Sequence, residues 1–216
     1  NIPSIIPINP RRYRTRRSGY RIMTQIGSCA LVGPGAIGLY YGGLLAKAGA
    51  ALHVLARSDA AVLRADGINI RIVDPRSGEL SETHTIRPAG IEQDAASIGP
   101  VDLVIIAAKA TVNSELLSSL QALVEPSRTT LLTLQNGMGN AEFIAKHFPH
   151  NPVLAGLCFV CVNRTAPGVV ENYLPGRVEI GSLDERFPEA AAAAVSAFSD
   201  AGVKCQLSPV LDAALW

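Results

Sequence analysis

Gly33, Gly35 and Gly38 lie in the run Gly33-Pro34-Gly35-Ala36-Ile37-Gly38, whose G-x-G-x-x-G spacing is the chain's clearest chemical signal. Each glycine answers a separate need. The first allows a tight turn, the second lets a pyrophosphate approach the backbone, and the third lets a helix pack closely on a strand. The phosphates then sit at a helix N-terminus, where free N–H groups and the helix dipole favour anions. The flanks fit. Residues 29–32 form a short apolar run suited to a buried parallel strand. Ile37, Tyr40, Leu44, Leu45 and Ala48 keep helical spacing, and Gly49 suits the helix C-terminus. In this setting the motif reads as dinucleotide binding rather than a glycine turn that only packs.

Arg57 speaks to which dinucleotide. The strand after the helix, residues 52–56, ends in Ala56-Arg57-Ser58, and no carboxylate follows until Asp59. A site for NAD usually places Asp or Glu here to hold the ribose 2′-hydroxyl. An arginine can instead pair bidentately with a 2′-phosphate, and Ser58 can add a hydroxyl. NADP(H) is therefore the expected cofactor, against the plainer reading of a solvated loop arginine.

Two more polar residues close apolar runs. Lys109 directly follows Val101-Asp102-Leu103-Val104-Ile105-Ile106-Ala107-Ala108, and Asn136 follows a run ending in Leu134-Gln135. A lysine there has either a route to solvent or an anion to meet. Asn136 precedes Gly137, so a turn role stands beside a binding one. With the glycine turn, both fall on the same edge of one sheet, which favours a shared cleft.

The elements that must hold these residues alternate. Residues 67–73 and 80–86 read as strands around an Asp74-to-Gly78 turn. Strands are expected over 101–107, 129–134, 153–162 and 203–207, and helices over 111–124, 141–148 and 188–201. Residues 169–173 and 177–181 read as a hairpin. The pattern predicts an α/β fold: a Rossmann-type, doubly wound, mostly parallel sheet with helices on both faces. In it, ligands bind beyond the carboxyl ends of the strands, near the switch point.

Composition sets the outer bounds. The chain has 216 residues, 48% hydrophobic and 17% charged, with a net charge of +1. Six of its 19 basic residues, Arg11, Arg12, Arg14, Arg16, Arg17 and Arg21, lie within the first 21 positions, leaving 13 against 18 acidic residues, or −5, elsewhere. That body offers no basic surface for nucleic acid. The Arg-rich stretch 1–25 lacks apolar periodicity and is expected to be a disordered arm. Transit peptide, nucleic-acid tail and translated leader ahead of a start at Met23 all fit its makeup. No apolar stretch of roughly 18 residues suggests a membrane span.

Cys29, Cys158, Cys161 and Cys205 all fall in apolar, strand-like contexts. Cys158-Phe159-Val160-Cys161 matches C-x-x-C, but residues three apart on a strand face opposite sides. Reduced cysteines in a cytoplasmic protein are the expectation. His147 and His150 flank Pro149 without partner carboxylates, so no metal is expected.

The chain resembles the ketopantoate reductases (2-dehydropantoate 2-reductases). The resemblance rests on GPGAIG at 33–38, the Lys109-Ala110-Thr111-Val112 segment, and QNGMG at 135–139. The family's K-A-x-x-V is matched there with its valine one place early. It continues through Gly156, Pro167-Gly168-Val169 and Glu179-Ile180-Gly181, and spans about residues 26–216. It implies an NADP-binding domain over 26–208, with 209–216 beginning a helical second domain that the sequence lacks. Gly33, Pro34, Gly35, Ala36, Ile37 and Gly38 would hold the NADPH pyrophosphate, and Arg57 the 2′-phosphate. Lys109 and Asn136 would line the nicotinamide side, Asn136 also near substrate, and the backbone around Val162 would approach the cofactor. The reaction implied is reduction of 2-dehydropantoate, a small 2-keto acid, to pantoate in coenzyme A biosynthesis. The family's proton-donating lysine would fall two places past Trp216, so no catalytic residue is expected within the chain, and a fragment inactive alone is expected. A homodimer through the second domain is compatible with this reading. So are two other functions: a related two-domain dehydrogenase acting on another keto or hydroxy acid, and a non-catalytic NADP(H)-sensing module.

Overall fold

A computed structural model describes residues 26–184 and 186–208. The expectations for the arm at 1–25 and for 209–216 lie outside the described residues.

The strands at the centre of the sheet are its most apolar. β1 (Ser28–Val32), β6 (Leu103–Ile106) and β7 (Thr130–Thr133) are nearly continuous buried runs, as expected of parallel strands covered on both faces. Single strands feed both faces by alternation. Leu31 joins one core with Leu39, Tyr41, Leu52 and Phe198; Ala30 and Val32 join another with Val104, Leu120 and Ile144. Helices α1 (Ala36–Lys47) and α5 (Pro188–Asp200) cover the first face. Helices α3 (Asn113–Leu123) and α4 (Asn140–His147) cover the second.

The remaining elements are β2 (Ala51–Leu55), α2 (Ala60–Asp66), β3 (Ile68–Val73), β4 (Leu80–Ile86), β5 (Gly90–Glu92), β8 (Val153–Ala166), β9 (Val169–Ser182) and β10 (Cys205–Leu207). The sheet order is β4-β3-β9-β8-β7-β6-β1-β2-β5, with β10 also on β9. Pairing is parallel except β3–β4 and β8–β9. The chain runs from β1 to β2 in one direction and returns to β6 on the other side of β1. The switch point thus lies at the carboxyl ends of β1 and β6.

Sequence and structure part company at one hairpin. Residues 169–173 and 177–181 are not its two arms but parts of one continuous strand, β9, which pairs antiparallel with the equally long β8. The Leu174-Pro175-Gly176 run that reads as a turn sits at a register shift opposite Phe159 and Cys161. Gly176 has φ +63°, and a Cβ there would lie 1.8 Å from the Phe159 carbonyl oxygen. The glycine makes a bulge rather than a reversal. The true turn is at Pro167-Gly168. Helix α2 and the short β5 were not anticipated, both being too short to carry a period.

Along β8, Cys158, Val160 and Val162 pack toward the core while Cys161 is exposed. The two thiols of C-x-x-C therefore face opposite sides. No helix among the described residues is long and apolar enough to cross a membrane.

Candidate dinucleotide site

At the switch point the three glycines do three different things. Gly33 leaves β1 with φ +93°, and a Cβ there would lie 2.3 Å from the Ala108 backbone nitrogen. Only glycine combines that conformation with such an approach. Gly38, in the first turn of α1, would press a Cβ to 2.5 Å from the Gly33 carbonyl oxygen and 2.8 Å from Leu31 Cδ1. Gly35 differs: a Cβ there would meet nothing within 4 Å. It faces open space, where the motif requires a phosphate. Gly35 is also the N-cap of α1, with no side-chain cap and no acid in the first turn. The helix's orphan N–H groups are left for a ligand.

That open space is a cavity of about 340 Å³. Its walls are the ends of three strands: Val32 to Gly35 after β1, Leu55 and Arg57 to Asp59 after β2, and Ala107 to Lys109 after β6. Val112, Glu115 and Leu116 of the α3 side and Arg164 of β8 complete it. Of the residues singled out in the sequence, Gly33, Pro34, Gly35, Arg57, Ser58 and Lys109 line the cavity. Ala36, Ile37 and Gly38 continue into α1 behind it. Asn136 lies outside the lining, exposed just past the end of β7. Val162 packs its side chain toward the core, two residues before Arg164.

Arg57 is exposed, and no described residue accepts a hydrogen bond from its guanidinium; its carbonyl accepts one from Gln93 Nε2 at 3.0 Å. Lys109 is likewise exposed, starting a short 3-10 turn over residues 110–112. Both cations are available to an anion.

A polar network fixes the loops that carry Lys109 and Asn136. Gln135 donates from Nε2 to the Ala108 carbonyl at 2.8 Å and to Asn113 Oδ1 at 2.8 Å, and Thr133 Oγ1 donates to Gln135 Oε1 at 3.0 Å. Asn113 donates to Asn140 Oδ1 at 3.1 Å, and Asn140 donates to the carbonyls of Asn136 and Gly137. The loops after β6 and β7 are thereby tied to each other and to the first turns of α3 and α4.

Arg164, and its pairing with Asp59, escaped sequence reasoning at this site. Asp59, 6% exposed, pairs through Oδ2 with Arg164 Nη2 at 2.8 Å and accepts from Ser58 Oγ at 3.0 Å. Arg164 also donates to the Pro34 carbonyl at 3.4 Å, across 130 residues of sequence. No local pattern announces such a contact. It arises because β3, β8 and β9 pack over α1, the core of which includes Ile68, Ile70, Val160 and Val170.

The comparisons with known proteins agree with this architecture. The family model for ketopantoate reductase PanE/ApbA matches residues 29–185. A 2-dehydropantoate 2-reductase of Nostoc sp. is 34% identical over 152 residues, covering 70% of this chain and 45% of that protein. One from Halobacterium salinarum is 29% identical over 184 residues, covering 85% and 58%. The crystal structure of 2-dehydropantoate 2-reductase from Geobacter metallireducens superposes with a TM-score of 0.75 at 33% identity, over 88% of this chain and 60% of that one. A structure of D-mandelate dehydrogenase with NADH and anilino(oxo)acetate shares the fold, with a TM-score of 0.75 at 22% identity. The chain spans about half the length of the curated relatives it matches. With the glycine turn at the switch point and the family model covering most of its length, the chain belongs to the ketopantoate reductase family.

Proposed function

We propose that this chain is the cofactor-binding part of an NADPH-dependent reductase that converts 2-dehydropantoate to pantoate. The observation that carries the cofactor half is Arg57. Among the described residues its guanidinium, on the cavity wall after β2, has no partner, and the next carboxylate along the chain, Asp59, is held by Arg164 and Ser58. That arrangement favours a 2′-phosphate over a bare ribose diol.

The strand order supports this reading residue by residue. Reading β7, β6, β1, β2 along the sheet edge puts Asn136, Lys109, the glycine turn and Arg57 in a row. A dinucleotide laid along that row has its 2′-phosphate at Arg57 and its pyrophosphate over residues 33–38, against the start of α1. Its nicotinamide end falls toward Lys109 and Asn136, with the backbone near Val162 closing from β8. When bound, NADPH supplies the hydride for the keto carbon. The chain's own groups orient the cofactor, and Asn136 is the group nearest to where a keto acid would sit.

The test is calorimetric titration of both cofactors. The chain binds NADPH more tightly than NADH, and Arg57→Ala weakens NADPH by about 1.5–3 kcal/mol, as for a hydrogen bond to a charged group, leaving NADH nearly unchanged. Equal losses for both cofactors refute the assignment. The substrate half is tested in a protein of the relatives' length carrying this chain. There, NADPH oxidation that depends on 2-dehydropantoate supports the reading, and its absence refutes it.

A further inference from the structure

The Asp59–Arg164 pair is built in an unusual way. Asp59 occupies the N-cap of α2, where an aspartate ordinarily accepts from the first-turn N–H groups of its own helix. Here its side chain makes no such bond. It is turned to the ion pair with Arg164 instead, at 2.8 Å, and to Ser58 Oγ. Both members of the pair line the same cavity as Arg57, and Asp59 is two residues from it. Arg164 comes from the far end of β8 and closes the gap between the loop after β2 and the glycine turn, where it also meets the Pro34 carbonyl.

Among the described residues Asp59 is the only carboxylate lining the β2 side of the cavity; the other acidic lining residue, Glu115, is on α3. A free carboxylate at that position does two things to cofactor choice. It repels a 2′-phosphate, and it accepts from ribose hydroxyls, which favours NADH. Pairing with a guanidinium cancels the first effect, and the Ser58 hydroxyl takes up Oδ1, one of the acceptors needed for the second.

We propose that Arg164 is a specificity-determining residue that acts through Asp59: by neutralising that carboxylate it keeps the Arg57 side of the cavity selective for a 2′-phosphate. Arg164 is a positioning residue in this scheme and need not touch the cofactor. The proposal rests on the NADPH reading above, and the two fail differently. If the unaltered chain binds NADPH and NADH equally, the cofactor reading has failed. If the unaltered chain prefers NADPH, the variants below decide the role of Arg164.

The experiment titrates NADPH and NADH into the full chain and into Arg164→Met, Arg164→Lys and the double variant Asp59→Asn/Arg164→Met. Thermal melts run in parallel. Arg164→Met leaves Asp59 charged and unpaired, and the NADPH-to-NADH affinity ratio falls about tenfold, the equivalent of ~1.4 kcal/mol. Arg164→Lys keeps a cation and preserves the ratio. The double variant removes both charges and restores the preference for NADPH, although Arg164 is still missing. That restoration separates this role from a direct contact between Arg164 and the cofactor. An unchanged ratio in Arg164→Met overturns the proposal, as does an equal loss for both cofactors. A double variant that stays non-selective overturns it too. Should Arg164→Met fail to fold, as an unpaired buried charge can cause, Arg164→Gln gives the same comparison with a donor retained. The double variant, which leaves no buried charge behind, is read independently of both.

Discussion

Gly35 is the position where a single side chain separates binding from folding. A Cβ at Gly33 or Gly38 would strike backbone at 2.3 or 2.5 Å, whereas one at Gly35 meets only the cavity. Gly35→Val therefore abolishes NADPH binding in titration calorimetry while far-ultraviolet circular dichroism and the melting temperature stay close to the original. Micromolar binding by this variant would show that Gly35 does not face the phosphates. The thiols give a second residue-scale expectation. Burial pushes Cys29 up to about 12 and Cys158 up to about 12, and it also raises Cys205, to about 11. Cys161 is exposed on the other side of β8. Because the thiolate is the reactive form, iodoacetamide at about pH 8 labels Cys161 and spares Cys29 and Cys158 in the folded chain. Peptide mapping reads the outcome, and labelling of Cys158 would contradict the packing. At this scale the glycine turn was legible because its three glycines lie within six residues of sequence, although the backbone that Gly33 approaches, at Ala108, is distant in the chain. Arg164 was not, because its partners Asp59 and Pro34 come to it only when β8 folds over α1.

Elements already joined by the sheet and its two cores are also tied to one another at the ends of strands. At the amino end of β1, opposite the cavity, Asp102 Oδ2 accepts from the backbone N–H groups of Gly27 and Ser28 at 3.1 and 2.9 Å and from Ser28 Oγ at 3.0 Å. Its other oxygen pairs with Arg128 at 3.3 Å. The carboxylate thus ties β1 to the start of β6 and to the loop before β7. Asp102→Ala costs about 3 kcal/mol, the scale of hydrogen bonds lost by a charged group, and lowers the melting temperature without altering NADPH affinity once folded. Loss of affinity equal to that of Gly35→Val would mean that this edge of the sheet communicates with the cavity. The apolar runs of β1, β6 and β7 were readable from sequence because a parallel strand buried on both faces has little choice of composition. The course of β8 and β9 was not. Pro175-Gly176 carries ordinary turn chemistry, and only the pairing of β9 with β8 on one side, and with β3 and β10 on the other, makes it a bulge.

On the scale of the whole molecule, the cavity joins segments far apart in the chain, so a ligand there stabilises the sheet as a unit. The loops after β1, β2 and β6, the start of α3 and the end of β8 all border it. A ligand that binds only the folded state at about 100 times its dissociation constant adds about 2.7 kcal/mol. For a chain of this size each kcal/mol moves the melting temperature by about 2–4 °C. NADPH at that concentration therefore raises the melting temperature by about 5–10 °C. Arg57→Ala, at the same NADPH concentration, retains at most about half of that rise, because a tenfold loss of affinity leaves only about 1.4 kcal/mol of ligand stabilisation. Asp102→Ala starts from a lower melting temperature yet keeps the full increment, since its contacts lie at the opposite edge. NADH gives a small rise that is the same with and without Arg57. Differential scanning fluorimetry on the three proteins with each cofactor reads these together. A rise with NADPH no larger than that with NADH would sink the 2′-phosphate assignment. An increment lost in Asp102→Ala would show instead that the two edges of the sheet are coupled through β1 and β6.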